Sequence, residues 1–310
     1  MMPRVVHTSS DPVYATGTFT KRGGAGFYAN LQRWRFLIMV VLMGSPVLLI
    51  SSGCGNEGFR SGIMIHPPTA VFTNSLGMKF LPLPASHGSL LSVWETRVRD
   101  FAAFVDDSNH DATGNFYYYQ KYRWNSDTNY WRYPGFEQTP EHPVVGVSWG
   151  DAMAFCHWLT EHERALGIID RDQTYRLPSN REWNLASMPG SVWPIPTNSA
   201  NYSPQLKVDS FYHTAPVGSF PPNAHGFHDL TGNVWEFCID RVKDEVNYVV
   251  IRGGSWQNWH QRFVGTHARG SCGAQSRIAI YGFRVILVTQ DQRTTTIKHD
   301  NQQQREHEGT

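Results

Sequence analysis

Cysteine is scarce in this chain, with four in 310 residues, which excludes the dense disulfide framework that holds small secreted folds. An excess of charge is missing too, since 27 basic residues stand against 26 acidic ones. The chain therefore has no field with which to gather nucleic acid, and a nucleic-acid partner is set aside. The longest apolar run, Phe36 to Ile50, has fifteen residues. At ~1.5 Å per residue it reaches about 22 Å, short of the roughly 30 Å hydrocarbon core, so a stable transmembrane helix is disfavoured. No internal repeat of fixed period appears, which sets aside solenoids and propellers. Aromatics and glycine are abundant instead, with 11 Trp, 13 Tyr and 27 Gly. Such a composition points to one large, loop-heavy domain in which ring area, more than strand ladders, pins irregular backbone.

The apolar run follows a basic stretch from Lys21 to Arg35, which is a signal-peptide pattern. Ser51-Ser-Gly-Cys54 then resembles a bacterial lipobox, although Ser51 stands where that motif has Leu. The expectation is an exported, cell-envelope lipoprotein acylated at Cys54, with ordinary signal cleavage or an uncleaved membrane anchor as the alternatives. Lipidation of Cys54 would leave Cys156, Cys238 and Cys272, an odd number from which no disulfide pattern follows. The organisation reads as an export segment over 1–53, a tether over 54–73, a domain over 74–289 and a disordered polar tail over 290–310.

Two helices are predicted, with a third shorter one. Val98, Phe101, Ala102, Phe104 and Val105 keep helical spacing behind Thr96 as the expected cap. Ser148 with Asp151, and Ser179 with Glu182, have the spacing of capping boxes. The first opens a helix burying Ala152, Phe155, Cys156 and Leu159 until Gly167, and the second opens a short helix through Trp183 and Ala186. Strands are expected at Lys79–Leu83, Tyr248–Arg252 and Gly282–Val288, the last with Phe283, Val285 and Leu287 alternating against Arg284 and Ile286. The Gly-, Pro- and Asn-rich stretch from Thr214 to Cys238 is expected to contain neither helix nor strand.

Six ordered motifs bring a family into view: Asn74-Ser-Leu-Gly-Met-Lys-Phe80, Val144-Val-Gly-Val-Ser-Trp-Gly-Asp-Ala152, Tyr175-Arg-Leu-Pro-Ser179, Gly232-Asn-Val-Trp-Glu-Phe237, Arg252-Gly-Gly-Ser-Trp256 and Gly282-Phe-Arg-Val285. Together they resemble the formylglycine-generating enzyme, or sulfatase-modifying factor, family. The resemblance implies an α+β formylglycine-generating-enzyme fold, a C-type-lectin-like variant. Such a fold is loop-rich, with a small twisted antiparallel sheet and two to three helices. It also implies two structural Ca²⁺ sites, one at Asn201, Tyr202, Asp209 and Phe211 and one at Asp229, Gly232, Val234 and Glu236. Side-chain oxygens of Asn201, Asp209, Asp229 and Glu236 would join carbonyls of the other four, the mixed oxygen set that a hard cation takes. The competing reading is that Asp229 and Glu236 cap turns or pair with Arg252 or Arg284.

Oxidases of this family hold Cu⁺ between two cysteines just after the Gly-Gly-Ser motif, because a soft ion requires thiolates. Here the segment Gly253 to Phe263 has no cysteine, and Asn258 and Phe263 stand at the two positions. Copper is therefore not expected. Ser255, matching a serine beside that centre, and His260 and His267 remain weak catalytic candidates, and the histidines, with His225 and His228 upstream, leave Fe²⁺ open. Trp256, Asn258, Trp259 and Arg252 are the expected lining of a groove for a protein segment or a glycan. The expectation is a calcium-stabilised binding or accessory module, whether the chain is an enzyme being left undecided. A diverged formylglycine-generating oxidase or a non-haem iron oxidase is the alternative, and a purely structural envelope lipoprotein a third.

Overall fold

Ser148 and Ser179 act as their spacing predicts. The computed structural model describes residues 72–289 except 87, 121–122, 128–130, 189 and 191–193. The export segment, Cys54, most of the tether and the polar tail lie outside these residues. The chain divides into two units, Met1–Ser61 and Gly62–Thr310, and every described residue belongs to the second.

In chain order the elements are β1 (Phe72–Thr73), β2 (Lys79–Pro82), β3 (Leu90–Ser92), α1 (Val98–Ser108), β4 (Phe116–Gln120), β5 (Arg123–Asp127), α2 (Trp149–Ala165), β6 (Gln173–Arg176) and α3 (Asn180–Ala186). The C-terminal half supplies β7 (Trp235–Val242), β8 (Glu245–Arg252), β9 (Arg269–Gly273), β10 (Arg277–Ile278), β11 (Tyr281–Gly282) and β12 (Ile286–Thr289). They form a five-stranded sheet in the order β1-β2-β3-β12-β6, a four-stranded sheet β11-β7-β8-β9 and a three-stranded sheet β10-β4-β5.

At α2 the Ser148 hydroxyl accepts from Asp151 N–H at 3.1 Å, while Ser148 N–H donates back to Asp151 Oδ2 at 2.7 Å. The same reciprocal pair joins Ser179 and Glu182 at α3. Two orphan amides are satisfied at each helix start, which is what the Ser-x-x-acid spacing provides. The cap of α1 is a correction: it is Arg97 rather than Thr96. Asp100 accepts the Arg97 N–H at 2.9 Å and the Arg97 Nε at 2.8 Å, so the acid half of a capping box is present as a buried ion pair while no side-chain oxygen accepts from the first turn. The apolar face of α1 falls as its period requires, with Phe101 and Phe104 buried.

Phe101, Phe155 and Phe283 pack ring to ring at 6.1 Å and 5.4 Å, tying α1, α2 and the chain before β12 into one core. Cys156 lies in it as a small buried hydrophobe. Two strand expectations fail. Trp235–Val242 is a full strand despite the turn-forming residues before it, because its own residues are aromatic, β-branched and paired on both sides. The strand expected over Gly282–Val288 is broken into β11 and β12, and Phe283 through Leu287 are all buried, so the supposed alternation is absent. A segment covered on both faces loses its period-two signature.

Candidate functional site: a buried acidic centre and a thiol-free loop

β11 runs parallel to β7, placing Gly282 beside Glu236 and so delivering Arg284 to its carboxylate. Arg284 Nε donates to Glu236 Oε2 at 2.7 Å and Nη2 to Oε1 at 2.7 Å, and both side chains are fully buried. Trp183 Nε1, from α3, donates to the same Oε2 at 2.8 Å. Arg284 also bonds the carbonyls of Ser92 and His228, so one guanidinium joins four segments of chain. This is the pairing that the competing reading of Glu236 required. A carboxylate nevertheless offers roughly four acceptor positions, so three donors do not exhaust Glu236 as a ligand.

Asp229 sits in the left-handed region with φ 56° and accepts from Gly218 N–H at 2.6 Å. Gly232, three residues on, has φ +83°, and a Cβ there would lie 2.1 Å from the Asn201 carbonyl oxygen. Only glycine fits. Sequence reasoning missed Glu95, on the connection between β3 and α1. It is fully buried, and neither carboxylate oxygen has a hydrogen-bond partner. Burial, and then the charges of Asp229 and Glu236, push its carboxyl well above the usual range. Burial raises Asp229 as well.

The second expected ligand set is brought together in one loop. Asp209 accepts from Tyr202 N–H at 2.9 Å and from Phe211 N–H at 2.8 Å. Asn201 donates its amide to the His213 carbonyl at 2.8 Å and to Asn233 Oδ1 at 3.2 Å, which fixes the side chain. Its Oδ1 is buried without a partner. A parallel bridge joins Asn201 to Gly232, so the two sets are neighbours along the backbone. Among the described residues no three His, Cys, Asp or Glu side chains form a metal cluster by themselves. Calcium draws on amide and carbonyl oxygens beside one or two carboxylates, and the orphaned oxygens of Asn201 and Glu95 fit such an ion.

The segment after Gly254 is stitched to itself. Asn258 Oδ1 accepts from Ser255 N–H at 2.8 Å and from Ser255 Oγ at 3.0 Å, so both side chains close one turn. His260 Nδ1 accepts from Arg262 N–H, and His267 Nε2 lies 3.1 Å from the Gln261 carbonyl. His228 Nδ1 is likewise 2.7 Å from the Phe220 carbonyl. The three described cysteines are buried and free, and burial pushes the Cys272 thiol up to about 12.

Two of the four expected groove residues are inside the fold. Trp256 is 3% exposed, its Nε1 bonded to the Ala279 carbonyl, and Arg252 is 5% exposed over the Trp183 ring. Arg252 knits loops, donating to the Thr266 carbonyl and to Asn184 Oδ1. Trp259 remains exposed. An open groove of about 1090 Å³ lies elsewhere, walled by Tyr133, Phe136, Gln138 and His142 on one side and Phe211 to Thr214 on the other. The His213 ring stacks on Phe136 at 4.4 Å and meets Trp256 edge-on at 4.9 Å.

Residues 90–289 match the sulfatase-modifying factor enzyme 1-like domain. The chain belongs to that family. It is 33% identical over 147 residues to the inactive C-alpha-formylglycine-generating enzyme 2 of Bos taurus, covering 41% of this chain and 44% of that protein. It is also 33% identical over 131 residues to the formylglycine-generating enzyme of Bos taurus, covering 36% and 31%. The chain thus spans less than half the length of these relatives. The structure of PvdO from Pseudomonas aeruginosa superposes with a TM-score of 0.52 at 24% identity, over 64% of this chain and 80% of that one. The fold is the α+β formylglycine-generating-enzyme fold.

Proposed function

We propose that this domain is a calcium-stabilised binding or accessory module without copper-dependent formylglycine-generating activity. The observation that carries the reading is the thiol-free segment Ser255–Phe263, where Asn258 spends its side chain closing a turn. Neither an amide nor a phenyl ring can hold Cu⁺. Cys272 offers no substitute, being a buried thiol on β9 that stays protonated at neutral pH. The relative from Bos taurus that bears the name inactive enzyme supports the same reading.

Calcium would be held at Asn201, Tyr202, Asp209 and Phe211 and at Asp229, Gly232, Val234 and Glu236, fixing loops that have few ladder hydrogen bonds of their own. The groove between Tyr133 and Tyr212 is the surface offered to a protein segment or glycan, since these two rings are 65% and 76% exposed. Export and a lipid at Cys54 would place the module in the cell envelope. A Cys-x-Pro-x-Arg peptide incubated with the full chain, copper and oxygen is expected to give no aldehyde by mass spectrometry. Detection of formylglycine would overturn the reading. Metal analysis of protein from its host is expected to return calcium alone, and stoichiometric iron would favour the non-haem oxidase instead.

A further inference from the structure

The groove between Tyr133 and Tyr212 has a volume of about 1090 Å³, slightly above the roughly 300–1,000 Å³ of small-molecule sites, so it has room for several linked rings. Its two tyrosine rings stand on opposite walls, 65% and 76% exposed. Between them His213 lies face to face on Phe136 at 4.4 Å and edge-on to Trp256 at 4.9 Å, which fixes its plane. Among the described residues nothing hydrogen-bonds either nitrogen of that half-buried ring, and neither nitrogen is sealed from solvent. Burial holds the imidazole below its usual value, so at neutral pH it offers one donor and one acceptor. Thr214 Oγ1 is shared by Gln138 Nε2 and His142 Nδ1, at 2.9 Å each, and this bracing keeps the wall beside His213 in place.

What the walls lack disfavours three classes of occupant. Residues 132–142 and 211–214 contain neither strand nor helix, so an extended peptide finds no sheet edge to pair with. No Val, Leu, Ile or Met lines the groove, so the apolar face of a helix finds no matching surface. The lining has one cation, Arg132, already paired with Asp106 at 2.6 Å, and one carboxylate, Glu137, so an anionic ligand finds no cluster of positive charge. We propose that the groove binds a neutral glycan, with sugar rings stacked on Tyr133 and Tyr212 and a hydroxyl bonded by His213. The inference rests on the reading of this groove as a binding surface and chooses between the two ligand classes which that reading allows. A pyranose presents C–H groups on its flat side, and these pack on the negative face of an aromatic ring. Each sugar hydroxyl both donates and accepts, as a neutral imidazole and a phenol do, so the bonds form without a charge having to be desolvated.

The test is an array of neutral oligosaccharides, anionic oligosaccharides and short peptides probed with the full chain, followed by calorimetry with the neutral oligosaccharide that gives the strongest signal. Saturable binding of a neutral oligosaccharide is expected. Tyr133→Ala and Tyr212→Ala should each weaken it about tenfold or more, and His213→Phe, which keeps the stack on Phe136, should do the same by removing the ring nitrogens. Tyr248→Ala, at an exposed ring on β8 that does not line the groove, should bind as the wild type does. A chain that binds anionic oligosaccharides alone, or a neutral one whose binding survives all three groove substitutions, would overturn the proposal. Peptide binding that is lost in the same variants, with no glycan bound, would refute the glycan and leave the groove as a binding surface. A chain that binds neither class would refute the groove reading as well. Melting curves of the two tyrosine variants should match that of the wild type, because both rings are exposed. If H213F does not fold, these two variants carry the decision.

Discussion

Glu236 precedes β8 in the chain and the Ser255–Phe263 segment follows it, and the side chains of the two regions bond in different ways. Around Glu236 each polar group reaches across the fold: Trp183 from α3, Ser92 from β3, His228 from the preceding loop and Arg284 from beyond β11. Around Ser255 the side chains of Ser255, Asn258 and His260 bond two or three residues along the chain, while the segment is anchored to the fold by Trp256, which donates its backbone N–H to the Asn233 carbonyl and its Nε1 to the Ala279 carbonyl. The first region is a long-range device that joins distant segments of the chain. In the second, the Ser255 and Asn258 side chains close a local turn, so their identity bears less on the scaffold. Family membership and a cysteine-free Ser255–Phe263 segment are therefore compatible, because different parts of the molecule answer for each.

The largest effect should come from Arg284→Met. It leaves the Glu236 carboxylate buried without its cation, and breaking one side of a buried pair costs about 3–5 kcal/mol. Urea unfolding should show that loss; a change below ~1 kcal/mol would mean that the long-range plan is not what holds this half of the fold. Asn258→Ala should cost less, on the order of 1 kcal/mol, because it removes the two bonds that close the Ser255 turn. A cost equal to that of Arg284→Met would erase the contrast between the two regions. The smallest effect concerns His142, whose imidazole is held below its usual value by burial and bonds Thr214 Oγ1 at 2.9 Å. The folded state disfavours its protonation, so this contribution is complete above about pH 6.5 and is lost as pH falls below it. His142→Gln should flatten that part of the acid limb of stability; an unchanged acid limb would refute it.

Much of this was legible in the sequence, and the failures have causes. Capping at Ser148 and Ser179 was readable because both partners lie three residues apart, within reach of one turn. The cap at Arg97 was not, since it depends on a guanidinium folding onto Asp100 in a buried site that only the tertiary structure creates. The two calcium sets were expected from family pattern alone; of their residues the structure brings Asn201 beside Gly232 and Tyr202 beside Asp209. Glu95 carries no local mark, because its meaning comes from Asp229 and Glu236, more than a hundred residues away in the chain. The groove residues were misjudged for the opposite reason. Trp256 and Arg252 look like ligand contacts in a glycine-rich motif, but their large apolar area is worth more inside, against Phe136 and Trp183.

The parallel pairing of β11 with β7 has a bearing on synthesis. Glu236 emerges from the ribosome 48 residues before the guanidinium that neutralises it. Until that late arginine is made, β7 and the Asp229 loop carry acids that no nascent partner can offset, and burying them is unfavourable. This half of the domain should therefore stay open during translation and close in one late step. A chain halted before residue 284 would remain protease-sensitive there even though nearly all of its hydrophobic residues had already been added.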